Sequence, residues 1–102
     1  MEQINTREFK NLLAEGKTVL ADFYSDTCMP CRRMMPIVAE ISEELKDKLT
    51  AVKINVADDT DLAVSLGVEA VPTFILFREG KEAARHVGAV PKEELLAFIE
   101  KN

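Results

Sequence analysis

Cys28-Met29-Pro30-Cys31 holds both of the chain's thiols. In a helix, a spacing of three puts two sulfurs on the same side of one turn, near enough to close into a disulfide. Just upstream, Val19-Leu20-Ala21-Asp22-Phe23-Tyr24 is the nearly unbroken apolar run of a strand covered on both faces. Downstream, Ile37, Val38, Ile41 and Leu45 carry a helical period, and Pro30 suits a first helical turn. The pair therefore belongs to a strand-to-helix junction, with Cys28 at the helix N-terminus facing solvent and Cys31 one turn inside. The unpaired N–H groups and macrodipole of such an end favour an anion, so Cys28 should ionise more readily than a free thiol at about 8.5. Arg32 and Arg33 add positive charge, which solvent screens. Three chemistries fit the bare motif: thiol–disulfide exchange, half of a zinc site, or two inert thiols. A structural zinc site needs four ligands, and beyond this pair the one good soft or borderline ligand is His86. Exchange is the reading that the junction favours.

The elements that must hold the pair follow from the pattern around it. Asn5 and Glu8 make the Asn form of a capping box, Phe9, Leu12 and Leu13 form an apolar stripe, and Gly16 closes it, giving a helix over 6–14 after a short extended start. Ser25-Asp26-Thr27 offers side-chain oxygens to cap the second helix, which Pro36 should kink. Residues 49–56 alternate as a strand, 61–66 form a short helix stopped by Gly67, and 73–78 are another apolar strand. Glu79-Gly80 makes a tight turn, 82–87 return antiparallel, and Gly88 breaks that strand. Pro91 opens a last helix with Leu95, Leu96, Phe98 and Ile99 on its apolar face. The order β-α-β-α-β-α-β-β-α implies an α/β protein with a mixed sheet and helices on both faces.

Composition narrows the function classes. With 102 residues, 47% hydrophobic and 30% charged, the chain is globular, and surface scaling gives it about 5,800 Å² of exposed area when folded. A net charge of −5 opposes binding to a phosphate backbone, so nucleic acid is not an expected partner. No apolar run is long enough to span a bilayer, and Met1-Glu2-Gln3-Ile4-Asn5-Thr6 has neither the basic nor the apolar segment of an export signal. Two cysteines are too few for the disulfide framework of a small secreted scaffold. No phosphate loop, dinucleotide-binding fingerprint or hydrolase elbow is present. His86 reads as a solvated or hydrogen-bonded residue on an edge strand, Met34 and Met35 as packing fillers, and Asp58-Asp59-Thr60-Asp61 as a solvated turn and helix cap.

Asp22-Phe23-Tyr24 ahead of Cys28-Met29-Pro30-Cys31, followed by Pro36, Val71-Pro72-Thr73, Gly80 and Gly88, resembles the thioredoxin family over essentially the whole chain. The resemblance implies the thioredoxin fold, a central mixed five-stranded sheet flanked by four helices, in a single domain over 1–102. It makes Cys28 the attacking thiolate and Cys31 the resolving thiol, which closes the protein's own disulfide and frees reduced substrate from a mixed disulfide. Asp22 corresponds to the family's buried acid beneath the second sulfur, and Lys53 on the neighbouring strand to its basic companion. Burial in an apolar strand should raise the Asp22 pKa, which suits a proton relay with Cys31; the alternative is a strand acid at an edge or in a salt bridge. Pro72 matches the family's cis-proline, which leaves the Val71 backbone free to pair with an extended substrate segment; the local alternative is a proline opening a strand. Gly88, with Ala89, Val71, Met29 and Pro30, would form an apolar rim that a partner chain can approach closely, or is simply a strand-end glycine. Two positions depart from the family: Thr27 stands where Trp is usual, and Met29 where Gly is usual. Thr27 removes an aromatic platform and leaves a hydroxyl free to cap the helix, while Met29 adds a flexible apolar group at the mouth of the site.

The resemblance implies a protein-disulfide reductase without bound cofactor or metal, re-reduced by a separate thioredoxin reductase, a flavin enzyme linked to NADPH or ferredoxin. Its partners are then disulfide-containing proteins, and a cytoplasmic monomer is expected. The rivals are a glutaredoxin-like or disulfide-forming relative, since the intervening dipeptide tunes the potential, and a docking module of the same fold that does not turn over.

Overall fold

The computed structural model describes residues 1–102. Its strands are β1 (Glu2–Gln3), β2 (Val19–Tyr24), β3 (Thr50–Asn55), β4 (Thr73–Arg78) and β5 (Lys81–Val87). Its helices are α1 (Thr6–Ala14), α2 (Met29–Glu44), α3 (Thr60–Ser65) and α4 (Lys92–Lys101). The sheet order is β1-β3-β2-β4-β5, so the apolar run of β2 occupies the centre and is buried along all six residues. β2 and β1 both pair parallel with β3, whereas β4 runs antiparallel to β2 and to β5. This is the mixed five-stranded sheet with four helices that the element order implies.

Side-chain alternation along β2 and β4 divides the core in two. Val19, Ala21, Phe23, Ile75 and Phe77 point to one side, where Phe9 of α1 and Leu62 of α3 cover them. Leu20, Phe74 and Leu76 point to the other, against Met34, Val38 and Ile41 of α2 and Leu95 and Ile99 of α4. The accessible surface is 5743 Å², in line with the scaling estimate.

The capping box of α1 forms as expected, with Glu8 N–H on Asn5 Oδ1 at 2.9 Å and Asn5 N–H on Glu8 Oε1 at 3.0 Å. Other caps fall differently. None of the Ser25, Asp26 and Thr27 oxygens caps α2; Cys28 occupies the N-cap itself and its Sγ accepts the Cys31 N–H at 3.1 Å. Asp59 precedes α3 but makes no side-chain bond to it. Its Oδ1 instead accepts from Thr6 N–H at 3.0 Å and Thr6 Oγ1–H at 2.7 Å, satisfying the free donors of α1 across the fold. Pro36 lies inside α2, exposed on its outer side. Strand β3 is shorter at both ends than its alternation suggests, because Leu49 N–H bonds back to Leu45 C=O and Val56 N–H reaches only Tyr24 C=O beyond the paired register. The β4–β5 turn places both Glu79 (φ 54°) and Gly80 (φ 79°) in the left-handed region, the geometry of a tight hairpin.

Candidate active site

The end of β2 and the start of α2 present two unequal sulfurs. Cys28 and Cys31 are joined as a disulfide with Cα atoms 5.2 Å apart. Cys28 is partly exposed, whereas Cys31 is 1% exposed beneath the first turn. The loop is held by Cys28 N–H on Ser25 C=O at 3.3 Å, and α2 begins with Arg32 N–H on Cys28 C=O at 3.2 Å. The helix N-terminus therefore points its free N–H groups at the accessible sulfur, which favours the thiolate once the pair is reduced.

Across from Cys28 lies the segment before β4. The Val71–Pro72 peptide is cis, and Val71 C=O stands 3.7 Å from Cys28 Sγ. Val71 makes no backbone hydrogen bond within the chain, so its N–H and C=O are open to a partner strand. Two bonds hold this segment in place: Thr73 Oγ1–H on Ala70 C=O at 2.6 Å, and Gly88 N–H on Pro72 C=O at 2.8 Å. Gly88 has φ +102° with open space where a Cβ would stand. Met29 (59% exposed) and Ala89 are exposed, and Pro30 and Val71 are half-buried, so apolar surface surrounds the sulfur. Thr27 is exposed and caps nothing.

Behind the sulfurs, the register sets Asp22 of β2 beside Lys53 of β3. Alternation puts both on the α2 side of the sheet, the side from which Cys31 descends. Asp22 is fully buried and neither carboxyl oxygen has a hydrogen-bond partner. It sits at no edge and in no salt bridge, which removes the alternative considered from sequence. Burial pushes its pKa up to about 7, against the opposing pull of the Lys53 ammonium. Lys53 Nζ lies 5.5 Å from the centroid of the Tyr24 ring, and Tyr24 O–H donates to Gln3 Oε1 at 2.8 Å. Lys53, Tyr24, Met35 and Cys31 share a cleft of about 270 Å³, so Met35 lines this opening while Met34, at 1% exposed, packs the core as expected. A carboxyl that titrates near neutrality on the covered-thiol side can both accept and return a proton.

Some structural residues of the site escaped the sequence reading. Asn55 is buried and donates from Nδ2 to Asp26 Oδ2 at 3.2 Å while accepting Ala57 N–H at 2.8 Å, bracing the loop that carries Cys28. Thr73, with its hydroxyl turned back three residues, braces the opposite segment. His86 lies half-buried on β5, with its Nε2 buried without a partner and its ring 6.0 Å from Phe98. β5 is an edge strand, but α4 covers its inner face there. No three His, Cys, Asp or Glu side chains come together to hold a metal ion.

A five-stranded α/β sheet that delivers a closable cysteine pair to a helix N-terminus, opposite an open backbone segment, defines a thiol–disulfide oxidoreductase. The family model described as Thioredoxin matches residues 1–101, and the chain belongs to the thioredoxin family. Thioredoxin M-type, chloroplastic, of Chlamydomonas reinhardtii is 39% identical, the match covering 96% of this chain and 71% of that protein. Thioredoxin Y, chloroplastic, of Oryza sativa subsp. japonica is 45% identical over 90% of this chain, which spans only 55% of that longer protein. Among solved structures, a mutant thioredoxin from Halobacterium salinarum NRC-1 superposes with a TM-score of 0.89 at 32% identity, covering 99% of this chain and 88% of that one. No helix is long and apolar enough to cross a membrane.

Proposed function

We propose that the protein reduces disulfides of other proteins and is itself returned to the dithiol by a thioredoxin reductase, a flavin enzyme fed by NADPH or ferredoxin, within the cytoplasm. In the first step the Cys28 thiolate attacks one sulfur of the substrate disulfide, and the other leaves as a thiolate. In the second, Cys31 gives its proton to the Asp22 carboxylate and attacks Cys28 Sγ, which releases the remaining substrate thiolate. Two electrons pass to the substrate, the Cys28–Cys31 disulfide forms, and the proton on Asp22 is free to follow the leaving thiolate. Lys53 keeps Asp22 from being held protonated throughout, because its charge opposes the effect of burial. Val71 and Pro72 offer the backbone on which a substrate segment lies, with Thr27, Met29, Pro30, Gly88 and Ala89 around it.

The observation that carries this reading is that partly exposed Cys28 has its sulfur 3.7 Å from the Val71 carbonyl and bonded to a covered partner three residues on. The test is reduction of a protein disulfide driven by a chemical dithiol. Cys28→Ser is expected to abolish turnover, and Cys31→Ser to accumulate a mixed disulfide visible by mass spectrometry. Full activity in Cys28→Ser would overturn the mechanism. A potential near that of the strong dithiol oxidants, measured against a dithiol couple, would reverse the direction assigned here.

A further inference from the structure

A small pocket beside the sulfur pair, on the α3 side of the sheet, takes no part in the exchange steps. It holds about 180 Å³ and is lined by Ser25, Val56, Val68, Glu69, Ala70 and Val71. Pockets for drug-sized ligands run from roughly 300 Å³ upward, whereas an apolar cavity of about 150 Å³ admits a benzene ring. The space therefore suits one branched or aromatic side chain and no larger molecule.

Its position ties it to the chemistry. Val71 is shared with the site, its carbonyl 3.7 Å from Cys28 Sγ, and Ser25 C=O holds the Cys28 amide at 3.3 Å. An extended segment added along the unpaired Val71 backbone directs alternate side chains toward the protein, so a residue close to the substrate cysteine faces the pocket. The rim is negative. Glu69, the one charged residue of the lining, is exposed and belongs to no ion pair.

We propose that this pocket is a specificity subsite that seats an apolar side chain of the disulfide-bearing partner segment, with an adjacent Lys or Arg of that segment meeting Glu69. The inference rests on the exchange reading above and adds to it a preference for apolar–basic sequence. The preference is legible only in the assembled fold, because Ser25, Val56 and the 68–71 segment come from three separate loops.

The test uses peptides whose single cysteine carries nitrothiobenzoate in a mixed disulfide. Each turnover oxidises the Cys28–Cys31 dithiol and releases one peptide thiol and one coloured thiolate. A peptide with Leu and Lys beside its cysteine is expected to react about tenfold faster than one with Ala in place of Leu. It should also react about threefold faster than one with Glu in place of Lys, a difference that fades in molar salt. Ala70→Leu, which fills the pocket, should erase the preference for Leu, and the surface change Glu69→Lys should reverse the preference for Lys. Both variants should reduce the nitrothiobenzoate adduct of free cysteine at the parent rate. A parent protein that treats the Leu and Ala peptides alike, or preferences that survive both substitutions, would overturn the subsite while leaving exchange intact. Failure of the parent to reduce the free-cysteine adduct would instead strike at the exchange reading, and the subsite with it.

Discussion

The two faces of the sheet are matched in size and opposite in character. On the α1–α3 face, ten buried apolar residues pack together, Phe9 meets Phe23 and Phe77 edge-on at 6.4 and 5.2 Å, and Asp59 answers the free donors of Thr6. On the α2–α4 face another ten apolar residues pack, yet all three buried side-chain polar atoms without partners, Asp22 Oδ1 and Oδ2 and His86 Nε2, lie on that side. Leaving buried carboxyl oxygens unpaired is costly, and a core built for stability alone would not keep them. One face supplies stability that the other gives up at Asp22, the position of the proposed proton relay.

The sharpest way to break that contrast is to weaken the α1–α3 face. Phe9→Ala should cost about 3–5 kcal/mol in denaturant unfolding, while the molecules that remain folded exchange thiols at the parent rate. A parallel loss of exchange in the folded fraction would mean that the two faces are not independent.

The α2–α4 face makes the next prediction, through linkage. Asp22 has a folded pKa of about 7 against 3.8 when unfolded, so between those values the folded state holds a proton that the unfolded state has lost. The stabilisation is complete below pH about 4 and disappears as pH rises through 7. Measured against Asp22→Asn, the parent should therefore lose about 4 kcal/mol between pH 4 and 8. A difference that stays flat with pH would show that Asp22 titrates as an ordinary surface acid. The same variant should slow release of substrate from the mixed disulfide and remove its inflection near neutrality.

Smaller effects refine the picture. Asp59→Ala should cost about 1 kcal/mol, typical of a lost helix cap, although the cap it provides belongs to a helix 53 positions away. Lys53→Gln should move the Asp22 inflection to higher pH, because the charge that opposes burial is gone, with little change in stability at acid pH. Nuclear magnetic resonance titration of the Asp22 carboxyl carbon would read that displacement directly.

What could be read from the chain was what depends on near neighbours. The capping box of α1 is complete within four residues, and the β2 run announces coverage on both faces because no polar residue but Asp22 interrupts it. The sulfur pair was legible for the same reason, a strand followed within a few residues by a helical period. Features made by distant segments were not. Asp59 reads as part of the cap of α3 because its real partner is remote in sequence, and nothing local to His86 says that α4 folds over its Nε2. Cys28 was missed as its own helix cap because Ser, Thr and Asp stood just ahead of it and sulfur is a weaker acceptor than oxygen.

The bond from Thr6 to Asp59 also leaves a debt at its far end. Asp59 is the N-cap residue of α3, a helix of six residues, and having turned its carboxylate to α1 it gives α3 no side-chain bond. The amides at the start of α3 should therefore swap deuterium with solvent sooner than those of α1, whose first turn is tied twice. Because Val68 and Ala70 follow directly behind α3, fraying there would loosen one wall of the apolar pocket before the sheet or the sulfurs yield.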